Sequence, residues 1–327
     1  MASLRWARSS LLAASFLPGA SGLLRGQQNP HDAAQQRNFA EVQIQVLPVQ
    51  GNVYMLAGTG GNIAAQVGSD GVLLVDTMSA PMAPRIAAEI KKLAAGPIRY
   101  IINTNMDADH TGGNAPLAKI GVPGASPTDT GGATIIAHEN VLNRMSKETG
   151  ESLAANPGLP NDEYFTPTKD LYFNAEPIFV IHEPSAHTDG DSIVLFRRSD
   201  VISTGDIFTP ERYPVIDVER GGSVQGLLAG LNHILQLTVP AKLQEGGTRV
   251  IPGHGRLCDE AEVVEYRNMV AIVRDRVQDM IKKGMTWEQV KAARPTFDYD
   301  TQYGSGDAFS EAVFKSLSNP KPVTARN

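Results

Sequence analysis

Polar and apolar residues alternate with a period of two at Val42-Gln43-Ile44-Gln45-Val46 and again at Val53-Tyr54-Met55-Leu56, with Gln50-Gly51-Asn52 between them as a turn. Such alternation buries one face of a strand and leaves the other wet, so two strands are expected here. Residues 62–67 and 71–76 continue the run as a hairpin around Gly68-Ser69-Asp70-Gly71. The period then changes. From Pro81 to Ala95, Ile86, Ile90 and Leu93 fall on one side of a 3.6-residue turn behind a leading proline, which predicts a helix. Ile98 to Asn103 is a short apolar strand. Beyond it, strands at 133–137, 178–181, 192–196, 201–204 and 248–252 interleave with helices over 139–148, 222–237, 260–283 and 285–293. The last helix starts at Thr286 with Gln289 three residues on, the pattern of a capping box. Residues 150–170, rich in Pro, Gly, Asn and Asp, read as a long loop. No repeat of 20–50 residues is visible, which excludes a solenoid. Strands first, then strand and helix in alternation, predicts stacked sheets with helices outside, an α/β class of fold.

A chain of 327 residues with 20 % charged and 42 % hydrophobic residues has the make-up of a folded globular protein with a sizeable core. Its net charge is −6 and no run of five or more Lys/Arg occurs. Neither nucleic acid nor an anionic membrane is therefore an expected partner. The N-terminus adds an address. Arg5 and Arg8 precede the apolar stretch Leu11 to Leu17, and Ala20-Ser21-Gly22 follows as a small-residue cleavage pattern. The stretch is too short, and too interrupted by Pro18 and Gly19, to span a membrane. A cleaved signal peptide over 1–22 and a periplasmic or secreted protein are the expectation. Its removal takes away two arginines and no acid, moving the charge from −6 to −8. A polar linker over 23–40, a main unit over 41–283 and a helical extension over 284–327 complete the expected organisation. Cys258 is the one cysteine, so no internal disulfide can form, and beside Asp259 and Glu260 it reads as inert.

Four segments carry candidate chemistry. The first is Asn105-Met106-Asp107-Ala108-Asp109-His110-Thr111-Gly112-Gly113-Asn114, directly after an expected strand. The second is Pro184 to Asp191, with His187 at its centre. The third is the strand Val201 to Thr204 ending in Gly205-Asp206, and the fourth is Val250-Ile251-Pro252-Gly253-His254-Gly255. Imidazole and carboxylate side chains on loops at strand ends are the donors that zinc prefers, with a coordination position left for water in a catalytic site.

In this order the four segments resemble the metal loops of the metallo-β-lactamase superfamily, over roughly residues 42–260. The resemblance implies an αββα four-layer sandwich and a hydrolase. The family's first loop reads His-x-His-x-Asp-His, whereas Asn105 and Asp107 stand here in place of the first two histidines. By position, Asp109, His110 and His254 correspond to the family's second metal site, with Asp206 able to bridge or complete it. The first site corresponds to Asn105, Asp107 and His187. An Asn carbonyl is a weak ligand and Asp107 a harder donor than imidazole, suited to iron, manganese or zinc. Asn at the first motif position also occurs in the single-zinc subclass of metallo-β-lactamases, although that subclass keeps the second histidine and has Cys where Asp206 stands.

Three outcomes stay open: one metal held by Asp109, His110, His254 and Asp206; a rebuilt pair of metals using Asp107 and His187; or a degenerate site on a protein that binds without catalysing. In an active enzyme, one or two zinc ions (or iron or manganese) would activate water against a small-molecule acyl bond, whether β-lactam, lactone, ester or thioester. Asp109 would orient that water; in the one-metal case Asp107, unliganded, would accept its proton and His187 donate to the developing oxyanion. Asp76, ending a buried strand, either orients a ligating histidine or caps the next turn. A nuclease of the same superfamily is disfavoured by the acidic charge. The sequence leaves a homo-oligomer open. His138, His182 and His233 are expected to be structural or surface residues, and Asp189 and Asp191 turn formers. Tyr213-Pro214-Val215-Ile216-Asp217 is expected to flank the pocket, and the segment from 284 onward to pack on the surface or meet another subunit.

Overall fold

In the computed structural model, residues 42–124, 131–150, 152 and 155–319 are described. The expected leader and linker lie outside them. Two sheets form. The larger runs in chain order, β1 (Gln45–Gln50), β2 (Val53–Gly58), β3 (Gly61–Gly68), β4 (Gly71–Val75), β5 (Ile98–Ile102), β6 (Thr134–His138) and β7 (Asp162–Tyr164). Its first four strands are antiparallel and its last four parallel. The switch follows from the connections. Tight turns join β1 to β4, while α1 (Ala83–Leu93), α2 (Ala108–Thr111) with α3 (Asn114–Ile120), and α4 (Glu139–Thr149) carry the chain back for each parallel strand. The smaller sheet has the order β12 (Arg249–Ile251), β11 (Val201–Ser203), β10 (Asp191–Phe196), β9 (Glu176–Glu183) and β8 (Thr168–Phe173). Only β11 and β12 pair in parallel, with α5 (Val224–Leu237) between them in the chain.

Three apolar layers show why the sheets stack. Val53, Met55, Leu73, Val75 and Ile102 from one sheet meet Ile178, Val180, Val194, Phe196 and Ile251 from the other. The alternate residues of the larger sheet, Leu56, Ile63, Val72, Leu74 and Ile101, pack instead on Met82, Ile86 and Ile90 around α1 and on Leu117 of α3. On the far side Ile181, Ile193, Leu195, Ile202 and Val250 meet α5 and α6 (Glu260–Lys282). Both faces of each sheet are thus covered, which is the αββα sandwich. Each such aliphatic side chain contributes about 1.5–3 kcal/mol on burial.

Part of the expected long loop over 150–170 is strand. β7 is three residues long, and β8 alternates exposed and half-buried positions at a sheet edge, so neither carries an apolar run. The first strand begins at Gln45 and runs through Pro48, tolerated because β1 is an edge strand. The capping box forms, with Thr286 and Gln289 bonding reciprocally at the start of α7 (Trp287–Ala293). Beyond it, α8 (Asp300–Tyr303) and α9 (Asp307–Ser318) place Tyr303, Phe309 and Val313 in the core shared with α5 and α6. Among the described residues, no helix is long and apolar enough to cross a membrane.

Candidate metal centre

The donors collect at one end of both sheets, where loops leave β5, β9, β11 and β12. The β5 loop turns into α2, a single helical turn with Asp107 at its N-cap and Asp109 and His110 within it. A buried polar knot holds that loop: Thr77 Oγ1 donates to the His110 carbonyl (3.0 Å) and to Asn114 Oδ1 (2.9 Å), and Asn114 Nδ2 donates to Asn103 Oδ1 (2.8 Å). Asp206 projects from a 3-10 turn whose Gly205, at φ 52°, packs so tightly on Thr104 that a Cβ there would lie 2.5 Å from Thr104 Oγ1. His254 follows β12 in a loop fixed by Asn62, whose amide donates to the carbonyls of Pro252 and Gly255, both at 2.9 Å.

Two donor groups result, Asp109/His110/His254 and Asp107/His187/Asp206. His110 Nε2 lies 3.2 Å from Asp206 Oδ2, and His254 Nε2 lies 3.3 Å from Asp109 Oδ2 and 3.4 Å from Asp206 Oδ1. His187 Nε2 lies 3.6 Å from Asp107 Oδ2. With zinc–ligand bonds of about 2.0–2.2 Å, two corners of a tetrahedral shell are about 3.3–3.6 Å apart. The separations match neighbouring ligands of one ion better than hydrogen bonds, and both His110 Nε2 and Asp107 Oδ2 are buried with no hydrogen-bond partner. These residues fit a divalent metal. Asp206 turns one oxygen toward each histidine of the first group and also belongs to the second, the position of a bridging ligand.

Asn105 Oδ1 accepts the Asp107 N–H at 2.9 Å, so its side chain shapes the loop that carries Asp107. Asp76 is settled by contact. Its Oδ1 accepts the Thr104 N–H (2.8 Å), and its Oδ2 accepts from Thr104 Oγ1 (2.7 Å) and pairs with His110 Nδ1 (2.8 Å), which turns His110 Nε2 toward Asp206. Asp191 plays the matching part for His187. It accepts from Thr188 N and Oγ1, and its Oδ1 lies 3.5 Å from His187 Nδ1.

The field of these acids draws positive charge. Burial opposes charge on His110, yet Asp206 and Asp76 override it and raise its pKa well above the usual imidazole range. Burial is likewise overridden at His187, where Asp191, Asp107 and Asp206 lift the pKa to about 10. Burial raises the Asp107 carboxyl, with His187 offsetting part of the rise. His254 goes the other way: burial lowers it and Arg212 adds to the drop, against Asp206 and Asp109. His110 and His187 are fully enclosed, whereas the His254 and Asp109 side chains keep 18 % and 13 % of their surface. The centre therefore opens on the His254–Asp109 side.

Several residues were silent in the sequence. Arg220, just before α5, reaches Asp107 Oδ1 (3.4 Å), Asp217 Oδ2 (3.3 Å) and Glu148 Oε1 (2.8 Å), and its carbonyl accepts the Asp189 N–H. Asp189, beyond forming a turn, pairs with Arg144. His138 caps α4 and stacks on His182 with ring centroids 3.5 Å apart, and His233 Nδ1 pairs with the buried Glu183 (2.6 Å), so all three stand apart from the donors. The Cys258 thiol is buried and pushed up to about 12, in keeping with an inert group.

No curated protein matches the sequence. Among solved structures, the sec-alkylsulfatase Pisa1 from Pseudomonas sp. superposes with a TM-score of 0.64 at 14 % identity, covering 86 % of this chain and 52 % of its own. A metallo-β-lactamase from Pontibacter korlensis matches with a TM-score of 0.54 at 12 % identity, over 70 % of this chain and 99 % of its own. The DIM-1 metallo-β-lactamase gives 0.51 at 16 %, over 71 % and 99 %. The chain spans about half the length of the alkylsulfatases it matches. At these identities the likeness is one of fold. The sequence model of the metallo-β-lactamase superfamily matches residues 46–254, a span that begins in β1 and ends at the last candidate ligand. With more than half of the chain so matched, and its donors at the ends of the matched strands, this protein belongs to the metallo-β-lactamase superfamily.

Proposed function

We propose that the protein is a metal-dependent hydrolase acting on a small molecule with an acyl bond, such as a β-lactam, lactone, ester or thioester. The observation that carries this is the set of imidazole–carboxylate separations of 3.2–3.4 Å among Asp109, His110, Asp206 and His254. These four would hold zinc first, with iron or manganese as rivals, and Asp107 and His187 with Asp206 offer a second position. A metal bound there lowers the pKa of its water and polarises the substrate oxygen. The chain's own residues supply the rest. Asp109, at the mouth, orients water on the open side. With one metal bound, Asp107 Oδ2, enclosed and made more basic by burial, accepts a proton, and Arg220 holds its other oxygen. In that same one-metal state His187, between Asp107 and Asp191, is oriented to donate from Nε2. The start of the chain supports export to the periplasm or outside the cell as part of this reading.

A sulfate ester is the second reading, favoured by the wider coverage of this chain by the alkylsulfatase fold, 86 % against 70 % for the lactamases. The test is metal content per chain by plasma mass spectrometry on untagged protein, followed by a panel of chromogenic lactams, lactones, esters, thioesters and sulfate esters. About one or two metals, lost in Asp109→Ala and His254→Ala together with turnover, supports the hydrolase. No metal after reloading would leave a binding protein on a hydrolase frame.

A further inference from the structure

Asn140, Arg144 and Glu148 follow one another at a spacing of four along α4, so the helix sets them in one row. The row meets the loops around His187 and Asp107. Asn140 Nδ2 donates to the Asp189 carbonyl (2.8 Å), and Arg144 holds the Asp189 carboxylate through Nε (2.8 Å) and Nη2. Glu148 takes Arg220 Nη2 (2.8 Å), the guanidinium whose Nη1 reaches Asp107. Asp189 lies two residues after His187 and is held from two further places. His182 on β9 donates from Nε2 to the same carbonyl (2.8 Å), and the Asp189 N–H donates to the Arg220 carbonyl (3.0 Å). Packing is as close as bonding. A Cβ on Gly190 would lie 2.9 Å from Val141 Cγ2 in the first turn of α4, and one on Gly221 2.7 Å from the Asp189 Cβ.

The Arg144 and Asp189 side chains keep 30 % and 28 % of their surface, and an isolated pair at such exposure adds little to stability. Its geometry does more. Two N–H groups on two carboxylate oxygens fix direction as well as distance, which a lysine cannot do. The loop so fixed is short. Two residues before Asp189 stands His187, and two after it Asp191, whose Oδ1 lies 3.5 Å from His187 Nδ1. On its other side the His187 ring brings Nε2 to 3.6 Å from Asp107 Oδ2. The place of that ring is thus set by a helix that supplies no ligand of its own.

We propose that Asp189 is a positioning residue: gripped by Arg144 of α4, it fixes the His187 ring against Asp107 and so sets the affinity of the Asp107/His187/Asp206 position for a second metal. The anchoring is a property of the chain alone; its consequence for metal rests on the metal-dependent reading above. Charge and position act in opposite directions here. Deleting the Arg144 cation leaves the Asp189 carboxylate bare, which by charge alone favours a second cation. Deleting Arg144 as an anchor frees the loop and disfavours one. Arg220 differs, because it touches Asp107 itself and its charge dominates, whereas Arg144 reaches the donors only through Asp189.

The test compares wild type, Arg144→Met and Arg144→Lys, with Lys169→Met as a control that breaks a similarly exposed pair, to Asp162, on the edge strand β8. In metal-free protein, hydrogen exchange followed by mass spectrometry should rise over residues 184–191 in Arg144→Met and stay as in wild type in the control. Zinc is then titrated into each protein and the one-metal and two-metal forms are resolved by native mass spectrometry. Arg144→Met should weaken the second zinc by about tenfold or more while the first stays within about twofold. Arg144→Lys keeps the charge without the fork and should recover only part of the loss. The cobalt-loaded two-metal protein should show the same loss as a weaker second step in its visible absorption. Unchanged exchange in Arg144→Met overturns the anchoring. A second zinc that binds equally or more tightly in Arg144→Met, or full recovery in Arg144→Lys, shows that charge decides and overturns the positioning role. An equal loss at both metals, or the same loss in Lys169→Met, reduces the pair to general stability and overturns it too. A wild type that takes no metal at all sinks the metal-dependent reading, and the exchange result then decides the anchoring by itself.

Discussion

Asp76→Asn gives the sharpest test of the centre, because it changes one atom and leaves the shape. Asp76 sits at φ 66°, a conformation asparagine also tolerates, so the backbone need not move. The carboxylate accepts three hydrogens, from Thr104 N, Thr104 Oγ1 and His110 Nδ1. An amide has one acceptor oxygen. Keeping that oxygen on the buried Thr104 N–H puts the NH2 against His110 Nδ1, which must then give up its proton. The imidazole changes tautomer, and the hydrogen moves to Nε2, the atom 3.2 Å from Asp206 Oδ2 that should face the metal. The opposite amide orientation would set a donor against the Thr104 N–H and orphan it, at about 1–3 kcal/mol. Loss of a carboxylate behind a ligating histidine costs about 10–100-fold in metal affinity, or about 1.4–2.7 kcal/mol. The expected result is zinc affinity weakened by that factor in a chelator competition, with the metal-free protein still folded by circular dichroism. Asp76→Ala should also lower the denaturation midpoint of the metal-free protein, since the Thr104 N–H loses its partner. An Asp76→Asn protein with wild-type zinc affinity would refute the orienting role.

Three further outcomes are expected. Gly253→Ala would place a Cβ 2.5 Å from Asp206 Oδ1 and 2.7 Å from the Gly205 carbonyl; overpacking of about 1–3 kcal/mol and a large drop in bound metal should appear together, and an alanine variant with full metal content would show that the loop yields. Arg220→Gln removes the cation from Asp107 Oδ1, so affinity at the Asp107/His187/Asp206 position should rise by about one to two orders of magnitude, read by native mass spectrometry as a larger two-metal fraction; an unchanged ratio would dismiss that electrostatic role. Burial and then His182 lower His138 to about 4, so the folded protein holds it neutral while the unfolded chain protonates near 6.5. Stability from this ring is full above about 6.5 and is lost as pH falls toward about 4, amounting to about 1–2 kcal/mol after solvent screening. Urea midpoints of wild type should thus fall more steeply over that window than those of His138→Asn, and parallel curves would argue against a neutral stack.

Much of the fold was legible because burial repeats with the period of the backbone. The turn-bounded apolar runs at residues 62–67 and 71–76, buried on both faces, and the one-sided Ile86–Ile90 stripe of α1 needed no tertiary knowledge to read. β8 was illegible for the converse reason: an edge strand with Lys169, Asp170 and Tyr172 along it buries too little to leave a pattern. The four loops with their donors could be read as candidates, since the residue types there serve poorly in a core and well around a cation. What each donor faces could not. Asn105 occupies a ligand's place in the chain yet turns its oxygen to its own loop, and Asp76 lies 34 residues from the His110 it orients.

By itself, then, the sequence determined the layers and offered the candidate donors, because periodicity and side-chain chemistry are local properties. Only the tertiary structure decided that Asp206 lies between two histidines and that Arg220 is spent on Asp107. Those are distances between residues tens to more than a hundred positions apart, and such distances are set by how the two sheets stack.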